Sequence, residues 1–162
     1  MIETVKIWLS GAENTVSAGR SLARTLYDIP LTIRLFGAIG AGKTTFLQGF
    51  ASWLGVRGCV QSPTFALEQR HRTLRFGELL HCDMHRLSRE DAQDFLAHTA
   101  SHPGIRCIEW PERAEGGQSA GPLIDIIFDD ADPRSRKLTV RFQDLSLPDR
   151  SRVQQWRKHV HL

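Results

Sequence analysis

A glycine-rich segment, "GAIGAGKTT" at residues 37–45, carries the most specific chemical signal in the sequence. Gly37, Gly42, Lys43 and Thr44 match the Gly-x-x-x-x-Gly-Lys-Ser/Thr pattern of phosphate-binding loops. Glycines let backbone N–H groups surround phosphate oxygens, the lysine neutralises the β- and γ-phosphates, and the threonine hydroxyl takes a Mg²⁺ position. We therefore predict that a nucleotide binds to Gly37, Ala38, Gly40, Ala41, Gly42, Lys43, Thr44 and Thr45.

Two acidic residues end strand-like segments, Asp83 in "LLHCD" and Glu109 in "IRCIE". A phosphate-loop enzyme needs a carboxylate at the end of a neighbouring strand to hold the water shell of the metal. One carboxylate can serve Mg²⁺ while the other orients the attacking water, and the sequence leaves that assignment open. We predict Lys43, Asp83 and Glu109 as catalytic residues, and Thr44, Asp83 and Glu109 as Mg²⁺ ligands.

The segment "SPTF" at residues 62–65 places two hydroxyl side chains around a proline. It is either a kink in an edge strand or a loop, like GTPase switch loops, in which the Thr64 hydroxyl senses the γ-phosphate or Mg²⁺.

A zinc hypothesis concerns His81, Cys82 and His85. Neighbouring strand residues point to opposite faces and no second ligand pair follows, so the sequence argues against a zinc cage.

The elements that must position these residues follow from hydrophobic periodicity and from glycine and proline signals. The phosphate loop should lie between the buried strand "LTIRLF" and a helix that Gly55 ends. The remaining predicted strands cover residues 2–9, 59–67, 74–83, 105–110, 122–128 and 137–142, with 68–73 joining the second and third as a hairpin. One helix is predicted to start at a cap at Ser10 or Asn14, and two more cover 89–100 and 150–161. The segment 112–121 is predicted as a loop with one helical turn, and 129–135 as a turn.

Early alternation of strands and helices followed by paired strands predicts an α/β fold: a three-layer P-loop NTPase with a mixed, partly parallel central sheet. The length of 162 residues suits a single domain over 1–162. Hydrophobic residues make up 41% and charged residues 24%, as in ordinary globular proteins. No targeting segment or membrane span is visible, and the three cysteines lack a Cys-x-x-Cys pair, so we expect a cytoplasmic protein with free thiols.

Positive charge is concentrated near the C-terminus. Residues 134–162 hold eight Lys or Arg and two Asp or Glu, which gives +6 and leaves −3 for residues 1–133. The basic helix predicted at 150–161 could contact tRNA or an acidic partner through Arg150, Arg152, Arg157 and Lys158. The alternative is a solvated helix that docks through Trp156.

The chain resembles the TsaE (YjeE) family in four ordered blocks, "GAIGAGKTTF", "SPTF", "HCDMHRL" and "IEWPE". The resemblance implies a P-loop ATPase that acts with the TsaD–TsaB heterodimer in threonylcarbamoyl modification of the adenosine next to the tRNA anticodon. It implies ATP/ADP and Mg²⁺ as ligands, no membrane, and weak hydrolysis that partners stimulate. It also places Trp110 beside the nucleotide and Ser10–Thr15 near the adenine. The absence of an Asn-Lys-x-Asp element separately favours ATP over GTP, since Asn14 is the sequence's single asparagine.

Two departures from the family pattern bear on hydrolysis. Ala38 replaces an aspartate within the loop, and Met84-His85 replaces Leu-Tyr after Asp83. Two alternatives to a partner-dependent ATPase therefore stay open. One is a small-molecule or nucleotide kinase that uses "RHRTLR" at residues 70–75 as a lid, and the other is a module that binds ATP but barely hydrolyses it.

Overall fold

The computed structural model describes residues 2–115, 121–129 and 136–160, without the side chains of Arg157 and His159. Its strands are β1 (Glu3–Leu9), β2 (Leu31–Phe36), β3 (Glu68–Arg72), β4 (Glu78–Asp83), β5 (Ile105–Glu109), β6 (Leu123–Phe128) and β7 (Arg136–Gln143). Its α-helices are α1 (Gly11–Leu26), α2 (Lys43–Leu54), α3 (Arg89–Thr99) and α4 (Leu147–Val160), and Pro111–Ala114 form a 3₁₀ turn.

The strands form one mixed sheet in the order β1-β7-β6-β2-β5-β4-β3. The central strands β6, β2, β5 and β4 run parallel, whereas β1, β7 and β3 pair antiparallel with their neighbours. This arrangement confirms the predicted partly parallel sheet. Because β7 runs against β6, its first residue, Arg136, lies at the edge where the parallel strands end.

Helices cover both faces of the sheet, as the layered prediction requires. The main core lies under α1, α2 and α4, and a smaller core lies under α3. Helices α1 and α2 cross closely at two glycines. A Cβ on Gly19 would overlap the carbonyl oxygen of Phe46, and a Cβ on Gly49 would overlap the carbonyl oxygen of Val16. This crossing fixes α2, whose first turn carries Lys43 and Thr44.

The predicted hairpin exists, but its strands were assigned to the wrong residues. Residues 59–67, predicted as a strand, form a loop, and β3 falls in the segment 68–73 that was predicted as the connection. Pro63 has no N–H to donate to a neighbouring strand, and the hydroxyls of Ser62 and Thr64 bond to Asp83. Strand β3 is a polar edge strand, where charged side chains block further pairing and no apolar alternation is needed.

The C-terminal helix begins at Leu147, earlier than predicted, and docks through Trp156 together with Val153 and Val160, all buried. Arg152 pairs with Asp28 at 2.8 Å, and so part of the basic tail is held by the protein itself. The turn 129–135 and the loop 112–121 lie partly outside the described residues. Within those residues, no helix has the length and apolar character to cross a membrane.

Candidate active site

A cavity of about 340 Å³ opens where β2, β4 and β5 end. The carboxyl ends of parallel strands are the usual ligand position in open α/β sheets. The cavity collects residues from five separate segments: Ile39, Gly40, Ala41, Gly42, Lys43, Thr44, Thr45, Ser62, Thr64, Asp83, His85, Glu109, Trp110 and Arg136. The predicted catalytic and metal-binding residues therefore share one cavity.

The glycine-rich loop turns directly into α2. Gly42 caps the helix with φ 108°, a left-handed conformation that favours glycine. The loop is tightened by a hydrogen bond of 3.2 Å from the N–H of Ala41 to the carbonyl of Ala38. The first turn of α2, with Lys43, Thr44 and Thr45, and the positive end of the helix dipole then face the cavity, as phosphate binding requires.

Lys43 lies over its own loop. Its Nζ donates to the carbonyls of Gly37 at 2.5 Å and Ala38 at 2.8 Å, and it lies 4.1 Å from the ring centroid of Trp110. The side chain is buried, with 5% of the residue exposed. Lys43 is thus held in the cradle by contacts that phosphate oxygens can replace.

Glu109 joins the phosphate loop to β4. Its Oε1 accepts hydrogen bonds from Thr44 Oγ1 and from His81 Nε2, both at 3.0 Å. His81 is fully buried and Glu109 is 3% exposed. An ionised carboxylate only accepts hydrogen bonds, so we interpret Nε2 of His81 as the donor in this contact. His81 therefore fixes the carboxylate, a role that the sequence did not suggest.

Asp83 holds the "SPTF" loop against the cavity. Its Oδ2 accepts from Ser62 Oγ in a very short hydrogen bond and from Thr64 Oγ1 at 3.1 Å, and its Oδ1 accepts from the N–H of His85 at 2.8 Å. Thr64 thus lies in the cavity, as predicted, but bonds to a carboxylate.

Trp110 forms a wall of the cavity after β5. Its backbone adopts φ 59°, which is uncommon outside glycine, and its ring stacks on His85 with centroids 4.5 Å apart. His85 stands where the family pattern has tyrosine, and in this chain its ring is an aromatic partner of Trp110. The Trp110 ring also contacts Lys43 Nζ.

Comparison with known proteins gives the family. Residues 9–138 match the family model described as "Threonylcarbamoyl adenosine biosynthesis protein TsaE". The chain belongs to the TsaE family. Two relatives are named tRNA threonylcarbamoyladenosine biosynthesis protein TsaE. The one from Nostoc sp. is 31% identical over 85% of this chain and 86% of its own length. The one from Streptomyces coelicolor is 39% identical over 58% of this chain and 65% of its own length. The crystal structure of YdiB from Bacillus subtilis shares the fold, with a TM-score of 0.74 at 23% identity over 98% of this chain and 97% of YdiB.

Most residues that line this cavity were named from the sequence motifs, and Trp110 from the family resemblance, but Ile39, Ser62, His85 and Arg136 were not named as site residues. None of Ser10–Thr15, expected near the adenine, lines this cavity. Arg136 lines it but was considered only as part of the basic C-terminal charge. Nothing local marks Arg136 in the sequence, because only the pairing of β7 with β6 brings it here.

The donor set fits Mg²⁺ better than zinc. The hydroxyl of Thr44 and the carboxylates of Glu109 and Asp83 are hard oxygen ligands of the kind that Mg²⁺ prefers. Cys82 lies in the smaller core under α3, away from His81 and Asp83, and burial raises its pKa to about 12. No group of three or more His, Cys, Asp or Glu within the described ranges could hold a metal by itself. A magnesium ion would therefore need ligands from a bound phosphate chain and water.

Proposed function

We propose that this chain binds ATP with Mg²⁺ in the cavity and hydrolyses it as the ATPase subunit of tRNA threonylcarbamoyladenosine biosynthesis. The observation that carries the proposal is the contact of 3.0 Å between Thr44 and Glu109 at the first turn of α2. This contact supports the proposal because P-loop hydrolases use a hydroxyl and a strand-end carboxylate beside a phosphate cradle to hold the metal.

The two carboxylates have different partners, and we infer different roles. Glu109 lies beside Thr44, so it is the one placed to hold the water shell of Mg²⁺, which would offset charge on the β- and γ-phosphates. Asp83 anchors Ser62 and Thr64, so it positions the loop that faces the γ-phosphate. Thr64 and Asp83 together would then orient the attacking water.

Lys43 supplies the positive charge for the transferred phosphoryl group. When ATP binds, its Nζ would exchange the carbonyls of Gly37 and Ala38 for β- and γ-phosphate oxygens. The side chain of Ala38 takes no part in these contacts, since only its carbonyl does. The aspartate of the family pattern is therefore dispensable for phosphate binding in this chain.

The expected partner is the TsaD–TsaB heterodimer, with tRNA as substrate of the assembly. Two large apolar side chains support a protein contact near the cavity: Ile39, which lines it, is 79% exposed and Phe65, beside Thr64, is 85% exposed. Exposed apolar side chains around a site are typical of interaction surfaces. A partner that covers them would press on the "SPTF" loop, which explains why hydrolysis should be slow without it.

The deciding experiment measures ATP hydrolysis and tRNA modification in a mixture with the TsaD–TsaB heterodimer. Glu109→Ala should retain ATP affinity and lose hydrolysis by roughly 100-fold or more, because the water shell of Mg²⁺ loses the carboxylate that holds it. Glu112→Ala, an exposed acidic residue in the adjacent 3₁₀ turn, is the matched control. Parental turnover by Glu109→Ala would refute the assignment.

The kinase alternative has weaker support in the structure. Its imagined lid, "RHRTLR", lies on and after β3, where Arg70 pairs with Glu68 and Glu78, and Arg75 bonds to the carbonyl of Trp53. None of these residues lines the cavity. Transfer of the γ-phosphate from ATP to a small-molecule acceptor by the isolated chain would nevertheless overturn the ATPase proposal.

A further inference from the structure

Arg136 enters the phosphate-loop cavity from the opposite side to the two carboxylates. It is the first residue of β7, which lies two strands from β2, whereas Asp83 and Glu109 end β4 and β5 on the other side of β2. Its guanidinium reaches the loop itself, because a Cβ on Gly42 would collide with Nη1. Any side chain at position 42 would displace this arginine.

The Nη1 atom of Arg136 is buried, yet it has no hydrogen-bond partner among the described residues. Leaving a buried charged donor unsatisfied is costly, so native structures rarely do so without a functional reason. The other charged groups of the cavity differ in this respect: Lys43 donates to two carbonyls, and both carboxylates accept from at least two donors. The orphaned nitrogen points to an anionic ligand.

The position of Arg136 selects one part of that ligand. Thr44 and Glu109 are the residues that would hold Mg²⁺, and so they mark the end of the cavity for the terminal phosphates. Arg136 lies across the loop from that end, so the phosphate left for it is the one next to the nucleoside. A guanidinium suits this task because its planar fork donates two parallel hydrogen bonds to phosphate oxygens.

We propose that Arg136 binds the α-phosphate of the nucleotide and sets nucleotide affinity without taking part in hydrolysis. This inference rests on the proposed function, since it requires that the cavity binds ATP. It assigns the phosphate chain a direction, with the γ-phosphate toward β5 and β4 and the nucleoside toward β7.

The test compares Arg136→Met, which keeps the aliphatic stem, with Arg136→Lys and with Arg141→Ala. Arg141 is an exposed arginine on the same strand and serves as the control. Isothermal titration should show ATP and ADP binding to Arg136→Met weakened by similar factors, about 10- to 100-fold, since both ligands carry the α-phosphate. Arg136→Lys should recover part of the affinity, and Arg141→Ala should bind as the parent does.

Kinetics and stability supply readouts that a purely structural residue would not produce. With TsaD–TsaB present, Arg136→Met should raise KM for ATP and leave kcat unchanged. The thermal midpoint of the nucleotide-free protein should stay equal or rise, because an unsatisfied buried charge has been removed.

Three results would overturn the inference. The first is nucleotide affinity in Arg136→Met equal to that of the parent. The second is a loss of affinity for ATP at least tenfold larger than the loss for ADP, which would assign the contact to the γ-phosphate. The third is a lower thermal midpoint of Arg136→Met in the absence of nucleotide. If the parental chain itself bound neither ATP nor ADP, the proposed function would fail first. The parental titration therefore separates that failure from a failure at Arg136.

Discussion

The two sides of the phosphate-loop cavity are built differently. On the carboxylate side, Asp83 and Glu109 are buried and accept hydrogen bonds from hydroxyl, imidazole and backbone donors. On the cationic side, Lys43 is bonded to carbonyls of its own loop, and a nitrogen of Arg136 has no partner within the described residues. The carboxylate side is therefore already organised, whereas we expect a bound phosphate to complete the cationic side.

The difference has a physical reason. Carboxylates that must orient metal and water lose catalytic power if they move, so neighbouring donors hold them in place. Cations that must bind a highly charged ligand gain more if their present contacts are weak and replaceable. We therefore expect substitutions on the cationic side to change affinity, and substitutions on the carboxylate side to change turnover.

The largest effect should come from Lys43→Ala, which removes the main charge of the cationic side. We expect ATP affinity to fall by about 100-fold or more, since a charge-assisted contact to two phosphates is lost. Titration calorimetry measures the affinity, and Lys6→Ala, at an exposed position of β1, is the control. Binding that stayed within threefold of the parent would remove the distinction between the two sides.

An intermediate effect should come from His81→Leu on the carboxylate side. Without the Nε2 donor, the carboxylate of Glu109 retains Thr44 as its partner within the described part of the chain, and the loss of an orienting group typically costs 10- to 100-fold in activity. We expect kcat with TsaD–TsaB to fall by about that factor while ATP affinity stays near parental. His81→Gln, whose amide can donate, should recover part of the rate.

The control for His81 is His98→Leu, an exposed histidine on α3 that should leave both parameters unchanged. If His81→Leu weakened ATP binding as strongly as it slowed turnover, the histidine would support the whole cavity and not Glu109 in particular. Thermal unfolding of each variant shows whether lost packing explains the change.

The sequence predicted those parts of the site that depend on local order. The phosphate loop is a continuous motif between a buried strand and an amphipathic helix, and Asp83 and Glu109 meet because parallel strands end at one edge. Other parts depend on pairing between distant segments. Arg136 reaches the cavity only because β7 runs against β6, and the partnership of His81 with Glu109 requires that β4 lies beside β5.

The error at the hairpin has a similar cause. Residues 59–67 carry strand-forming side chains, but the hydroxyls of Ser62 and Thr64 are drawn to Asp83, about twenty positions away in the chain. Strand β3 is polar because it lies at the sheet edge, so hydrophobic alternation could not reveal it. The local hydrophobic pattern predicts the wrong secondary structure where contacts with a distant segment determine the conformation.

The smallest effect concerns the thiol reactivity of Cys82, which distinguishes one face of β4 from the other. His81 and Asp83 face the cavity, whereas Cys82 lies in the core under α3, where burial raises its pKa to about 12. Burial also raises the pKa of Cys107 well above its ordinary value. Because thiolate is the reactive form, only the exposed Cys59 should react quickly with a thiol reagent between pH 7 and 9.

One fast thiol per native chain and three after denaturation are therefore expected, and Cys59→Ser should abolish the fast phase. Adding Zn²⁺ to the native protein should not change the count, since Cys82 does not share a site with His81 and His85. A second fast thiol, or protection of one by zinc, would show that Cys82 reaches the cavity. In that case the carboxylate side would not be the closed, prearranged half of the site, because β4 would have to open to expose it.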